Sequence, residues 1–218
     1  MTSASIRWTT AGLLIALFGV PAIAVAFHAG FAQPSDAIIA ARELLILALT
    51  GLLLWIVIRR ERLPLSSIGL RFERAGRSVA WGIALTLCIF AAVIAMLAAY
   101  GALGVRYGED GRIAPSLGVT LLTVLRAGIS EEIFYRGFAL ERLEQWSGSK
   151  WIASAIVVGG FAAFHFRQGW PGMLLALVLG AILTGFYLWK RDLLAAIIAH
   201  FLVDFVPNVA VPLLGGDG

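Results

Sequence analysis

Six polar side chains stand in apolar surroundings, in three short groups along the second half of the chain. The first is Ser130-Glu131-Glu132-Ile133-Phe134-Tyr135-Arg136-Gly137, the second Phe161-Ala162-Ala163-Phe164-His165, the third His200-Phe201-Leu202-Val203-Asp204. Glu132 and Arg136 are four apart, so on a helix they share a face and pair, with the glutamate on the favoured N-terminal side. That pairing leaves Glu131, about 100° further round an α-helix, without a local partner. A carboxylate in such surroundings is suited to general base or acid work. The plainer reading makes both glutamates ordinary helix-end charges. His165 is either a structural hydrogen-bonder or a catalytic base, and Phe161, one turn earlier, packs against its ring. His200 and Asp204 project from one helix face. They can ligate one metal ion, the carboxylate can orient the imidazole, or the two can form a simple intrahelical hydrogen bond.

The elements that must position these groups are membrane helices. The chain has 218 residues, 60% hydrophobic and 14% charged, where a soluble domain carries about 25% charged residues. The apolar residues fall in blocks of the length that a helix needs to cross a bilayer, about 20 residues. Seven such segments can be read: 11–31 with Pro21 as a kink, 37–58, 79–103, 115–138, 151–166, 172–189, and 193–206, which Pro207 ends or kinks. Between them lie the turn 33–36, the basic loop 59–77, the polar loop 104–114 with Glu109 and Asp110, the charged loop 141–150, the turn 168–171 and Lys190-Arg191-Asp192. In lipid the backbone finds no water, so each segment must satisfy its own N–H and C=O groups as a helix. Continuous apolar blocks without alternation exclude a β-barrel. The fold class is therefore all-α, a polytopic membrane helix bundle of about seven spans. The spans divide into about three N-terminal helices, 1–114, and a four-helix core, 115–214. The N-terminal run is expected to be a retained span and not a cleaved signal.

The net charge of +4 does not signal nucleic acid, because the basic residues sit in short loops and form no basic face. They set orientation instead. Arg59, Arg60, Arg62, Arg71, Arg74 and Arg77, then Arg142 and Lys150, then Lys190 and Arg191 occupy alternate loops. The intervening loops hold only Arg106, Arg112 and Arg167. The richer set is expected in the cytoplasm, with the N-terminus inside a plasma (inner) membrane and the C-terminus outside. The single cysteine, Cys88, makes no internal disulfide and is expected to be a small buried apolar side chain. Arg42 and Glu43 are expected near the membrane interface, as is His28. Arg126, one turn before the glutamates, either balances their charge or reaches for the surface.

A charge within a span costs about 2.5–3.5 kcal/mol on insertion scales, so intramembrane ionisable groups are functional candidates. None of the six can comfortably face lipid. The economical packing turns them toward one interior cavity, where a carboxylate and two imidazoles can activate water, as a general base or through a bound metal.

EExxxR, FxxxH and HxxxD, in this order on successive membrane helices and with the string EEIFYRG, resemble the motifs of the CAAX prenyl protease and bacteriocin-processing family (CPBP), also called the Abi or type II CAAX protease family. The resemblance runs from about Val119 to Asp204. It implies an intramembrane endopeptidase in which Glu131, aided by His165, activates water. It further implies that Glu132 and Arg136 shape the site, and that His200 and Asp204 stabilise an oxyanion or complete a metal site. Eukaryotic members usually carry asparagine where this chain has Asp204. Aspartate donates no hydrogen bond unless protonated, which favours metal ligation or orientation of His200. A zinc (Zn) site on His165, His200, Glu131 and Asp204 is chemically reasonable. The expected partners are membrane lipid and a peptide or membrane-protein substrate. The alternative is a non-catalytic membrane scaffold or bacteriocin-immunity protein of the same fold. A transporter ranks last, because no two matching halves with broken helices are present.

Overall fold

The structure is a computed structural model that describes residues 3–31, 34–107 and 115–215. Gln33, Glu109, Asp110, Arg112 and the C-terminal Gly216-Asp217-Gly218 lie outside the described residues. Among the described residues there are no strands and seven helical rods: α1 (3–30), α2 (36–60), α3 (Ala75–Ala102), α4 (117–147), α5 (Lys150–Ala163), α6 (Gly169–Lys190) and α7 (193–214). Five stretches are long and apolar enough to cross a membrane: Ile6–Gly30, Asp36–Arg60, Ala75–Ala102, Phe166–Lys190 and Leu193–Gly215. Helix α5 is apolar but shorter, and α4 is the rod that carries the paired glutamates.

Helix α4 is the hub. It packs against α1, α2, α5 and α7, while α3 lies along α7 and α5 along α6. The close approaches use glycine. A Cβ on Gly12 would meet the Phe138 ring at 2.3 Å, and one on Gly128 would meet Phe201 Cβ at 3.0 Å. The distribution of side chains is that of a protein immersed in lipid. Leu87, Ile94 and Trp189 are about two-thirds exposed, whereas Glu43, Glu132 and Arg136 are fully buried.

Alternate loops meet at opposite ends of the bundle. At one end Arg142 Nη2 donates to Glu61 Oε2 (2.6 Å), Ser78 Oγ donates to Asp192 Oδ2 (2.8 Å), and Arg191 is paired with Glu141 and Glu144. Arg60 lies 4.5 Å from the rings of both Trp8 and Trp55, and Lys190 lies against Trp189 and Trp81. Basic and aromatic residues of this kind anchor a bundle at the membrane–water boundary. At the other end Tyr100 Oη donates to the Pro171 carbonyl (2.7 Å), and the Ser116 amide donates to Asp36.

Several sequence boundaries need correction. The charged segment 141–147 is not loop: it is the last turns of α4, because Glu141, Glu144 and Arg142 find partners on 61 and 191. The rod stops where Gly148 takes a left-handed φ of 67° and Ser149 caps α5. Gly169, Trp170 and Pro171 are no turn but the start of α6. Pro207 does not end α7. The backbone widens to π-helical geometry over Val206–Ala210, which accommodates the missing N–H, and the helix continues to 214. Pro21 acts the same way, with π-helical Ile15–Gly19 just before it and the helix unbroken from 3 to 30. Cys88 is exposed on the outer face of α3 and is not buried. An apolar side chain facing lipid has no need of a protein core.

Candidate active site

The first polar group lies in an unusual stretch of backbone. Ala127–Glu131 and Ile133–Leu140 are π-helical, separated only by Glu132. A π-helix bonds residue i to i+5 and turns less per residue than an α-helix, which brings residues five apart nearer to one face, and such stretches are frequent at functional sites. Arg126 and Glu131 are five apart, and Arg126 Nη1 donates to Glu131 Oε1 at 2.8 Å. Glu131 therefore has a local partner, contrary to the expectation from α-helical spacing. Glu132 and Arg136 pair as expected at 2.8 Å.

Glu132 is the crossing point of the cluster. Its Oε1 accepts from Arg136 Nη1 and from His200 Nδ1 (2.7 Å), which ties α4 to α7. Its Oε2 has no protein partner although it is buried. Arg136 reaches on to α6, where its Nε donates to Thr184 Oγ1 (3.3 Å) and its Nη2 to the Gly180 carbonyl (3.2 Å). Its guanidinium lies 4.6 Å over the ring of Phe161. Ion pairs buried this deeply survive only when hydrogen bonds satisfy most of their polar atoms, and Arg136 meets that requirement.

Phe161 is the common neighbour of both histidines. Its ring centroid lies 4.9 Å from that of His165 and 6.1 Å from that of His200, and Tyr135 closes on it edge-on at 5.3 Å. His165 Nδ1 lies 2.9 Å from the Phe161 carbonyl oxygen. A carbonyl only accepts, so this nitrogen carries the proton and Nε2 is left for other work. The same reasoning puts a proton on His200 Nδ1, which faces the Glu132 carboxylate. The opposite nitrogen, His200 Nε2, faces Glu131 Oε2 at 4.0 Å and Asp204 Oδ2 at 3.6 Å. His165 joins this group through the Phe161 ring that it shares with His200. The six polar residues of the three motifs are thus one cluster, with Glu132 and Arg136 sealed inside. The Asp204 side chain, 34% exposed, and that of Glu131, 16% exposed, lie on its open side.

Two further residues join the cluster from outside the motifs. Glu43 of α2 is fully buried and is bonded to Arg126 Nε through Oε2 and to Arg42 through Oε1. Its side chain is turned into the bundle and does not face outward. Arg126 is 7% exposed and points inward, not to the surface. His28, by contrast, is exposed near the end of α1. The signal for Glu43 was its charge within an apolar span, which gave no hint of its partner on a helix 83 residues away.

The donor set for a metal is a different matter. Among the described residues no three His, Cys, Asp or Glu side chains gather as ligands. His200 gives its Nδ1–H to Glu132 and keeps Nε2 toward Glu131 and Asp204. No chemical step below is routed through a metal.

Fold and cluster together define a multi-pass helical membrane protein with ionisable groups assembled in its interior. Residues 112–206 match the family model described as type II CAAX prenyl endopeptidase Rce1-like. This stretch contains all three motifs and is similar to that family, for which a protease-like enzyme is implied. No curated protein and no solved structure gives a significant match to the chain.

Proposed function

We propose that the chain is an intramembrane endopeptidase that hydrolyses a peptide bond of a membrane-associated or secreted peptide, with Glu131 as the general base. The observation that carries this reading is the gap between Glu131 Oε2 and His200 Nε2. At 4.0 Å it is the span that one water bridges with two ordinary hydrogen bonds. Arg126 occupies the other glutamate oxygen, so Oε2 is the one aimed at that water.

The reaction follows from the donors and acceptors around this point. Glu131 Oε2 takes a proton from the water as the water oxygen bonds to the scissile carbonyl carbon. His165 Nε2, left as an acceptor by its Nδ1–H bond to the Phe161 carbonyl, helps to hold the water. The carbonyl π electrons move to oxygen, and His200 in its protonated form donates from Nε2 to that oxyanion. The intermediate collapses, the C–N bond breaks, and the proton held by Glu131 passes to the departing amine. Glu132 holds His200 by Nδ1, and Arg136 holds Glu132. Asp204 Oδ2, 3.6 Å from His200 Nε2, closes on it between turnovers to accept its proton and orient the ring; as a carboxylate it is no oxyanion donor.

The reading includes seven crossings of a plasma (inner) membrane, with α4 and α5 spanning as part of the bundle. The basic end that joins residues 59–77, 148–149 and 191–192 faces the cytoplasm by the excess of Lys and Arg in its loops. The N-terminus is then inside.

The test compares peptide termini in membranes and medium from cells that express the wild type or Glu131→Gln, which keeps the shape and removes the base. Termini that disappear with Glu131→Gln at equal protein level are the expected result, and they name the substrate as well. Termini unchanged by the substitution would sink the protease reading in favour of a scaffold or immunity role.

A further inference from the structure

The family-matched stretch ends short of one buried acid that touches the site. Glu43 sits on α2, outside residues 112–206, yet it is fully buried and bonded to Arg126 Nε. Arg126 Nη1 in turn holds Glu131 Oε1 at 2.8 Å. On the far side, Arg42 bonds Glu43 Oε1 through Nε at 2.7 Å and Nη2 at 2.5 Å. Four alternating charges thus run from the edge of α2 to the proposed base on α4.

We infer that Glu43 is a positioning residue for Glu131, acting through the rigid guanidinium of Arg126. This rests on the reading of Glu131 as base. The guanidinium is planar, with its N–H groups in a fixed fork. Anchoring its Nε edge on Glu43 therefore fixes where Nη1 points. That fixes Glu131 Oε1, and the remaining oxygen, Oε2, is aimed at the site shared with His200 Nε2 at 4.0 Å.

Neutralising Arg126 does not by itself explain Glu43, because Glu131 already provides an opposite charge. Stability explains it poorly too, since a buried ion pair is weak evidence of net stabilisation. A second effect follows from the sharing. With its guanidinium divided between two carboxylates, Arg126 holds Glu131 in place without giving it a whole counter-charge. The N-terminal helices are then part of the catalytic apparatus. Glu43 touches no reacting atom and is not a catalytic residue in the sense used for Glu131.

The experiment uses the purified full chain in lipid vesicles. The probe is a peptide with fluorophore and quencher, built on the sequence whose cleavage depends on Glu131. Glu43→Gln, Arg126→Met, their double variant and Arg126→Lys are compared with the wild type and Glu131→Gln, each checked for an unchanged melting temperature. Misplacing a reacting group by about 1 Å costs on the order of 10²-fold in rate. Both single variants should therefore lose about 10- to 100-fold in kcat with KM unchanged. The double variant should be no slower than Arg126→Met, because Glu43 acts only through Arg126. Losses that multiply in the double variant would make Glu43 a merely structural residue and overturn the inference.

If Glu43→Gln does not fold, Arg126→Lys decides. It keeps the charge and loses the fork, so a slowed kcat supports the inference and a wild-type kcat overturns it. If Glu131→Gln is inactive while the Glu43 and Arg126 variants turn over as wild type, only the positioning role fails. If Glu131→Gln itself cleaves normally, the base assignment falls and the positioning role falls with it.

Discussion

At the scale of single residues, the cluster divides its carboxylates by what they touch. Glu132 is enclosed by Arg136 and His200, Glu131 is held by one oxygen and open at the other, and Asp204 stands at the exposed edge beside His200. If Asp204 serves to accept from His200 Nε2, an asparagine oxygen can do the same. Asp204→Asn should then keep cleavage within about tenfold of wild type, the equivalent of roughly 1.4 kcal/mol. Asp204→Leu, which offers no acceptor, should lose on the order of 10²-fold. Initial rates on one peptide check both, and an Asp204→Asn variant as slow as Asp204→Leu would show that the negative charge itself is required. The six motif residues were legible in the sequence because a charge inside an apolar span has a cost that demands a use. Arg126 as the partner of Glu131 was only one of two readings left open. Spacing of five is off-face on an α-helix, and nothing in the order of residues 127–140 announces that the backbone there is π-helical.

At the scale of elements, function depends on how closely α4 and α7 approach. Gly128 permits it: a Cβ there would lie 3.0 Å from the backbone nitrogen of Phe201, one residue beyond His200. Gly128→Val should push the two helices apart, lengthen the Glu132–His200 bond and cost about 1–3 kcal/mol by overpacking. Gly185→Ala, on the same bundle with nothing within 4 Å of the added carbon, should gain about 0.4–1 kcal/mol. Thermal unfolding in detergent separates the two, and a Gly128→Val protein as stable as Gly185→Ala would deny the close packing. Helix existence was readable from the apolar blocks, and their ends less so. Residues 141–147 read as loop because their charges gain partners only when 61 and 191 arrive from distant parts of the chain. Pro207 read as a break or a kink, because a widened turn that absorbs a proline leaves no mark in composition.

At the scale of the whole molecule, the bundle is apolar outside and ionic within. Leu87, Ile94 and Trp189 face outward while Glu43, Glu132, Arg136 and Arg142 are buried. Lipid outside removes any reason to hide the leucines, and the interior charges persist because each is paired. The loops sort by charge to the two ends, as the count of Lys and Arg along the sequence leads one to expect. What sequence order alone did not convey is that the N-terminal helices reach the site, because a contact between α2 and α4 depends on tertiary packing. The central claim is that this interior hydrolyses a peptide bond with Glu131 as base. Its most direct test is a single experiment on the purified chain in lipid vesicles, given the substrate peptide in ¹⁸O-labelled water. The prediction is that ¹⁸O appears in the new C-terminal carboxylate with the wild type, with or without a zinc chelator, and does not appear with Glu131→Gln. Label incorporated equally by Glu131→Gln would contradict the claim, and cleavage that stops on chelation and returns with zinc would contradict its metal-free form.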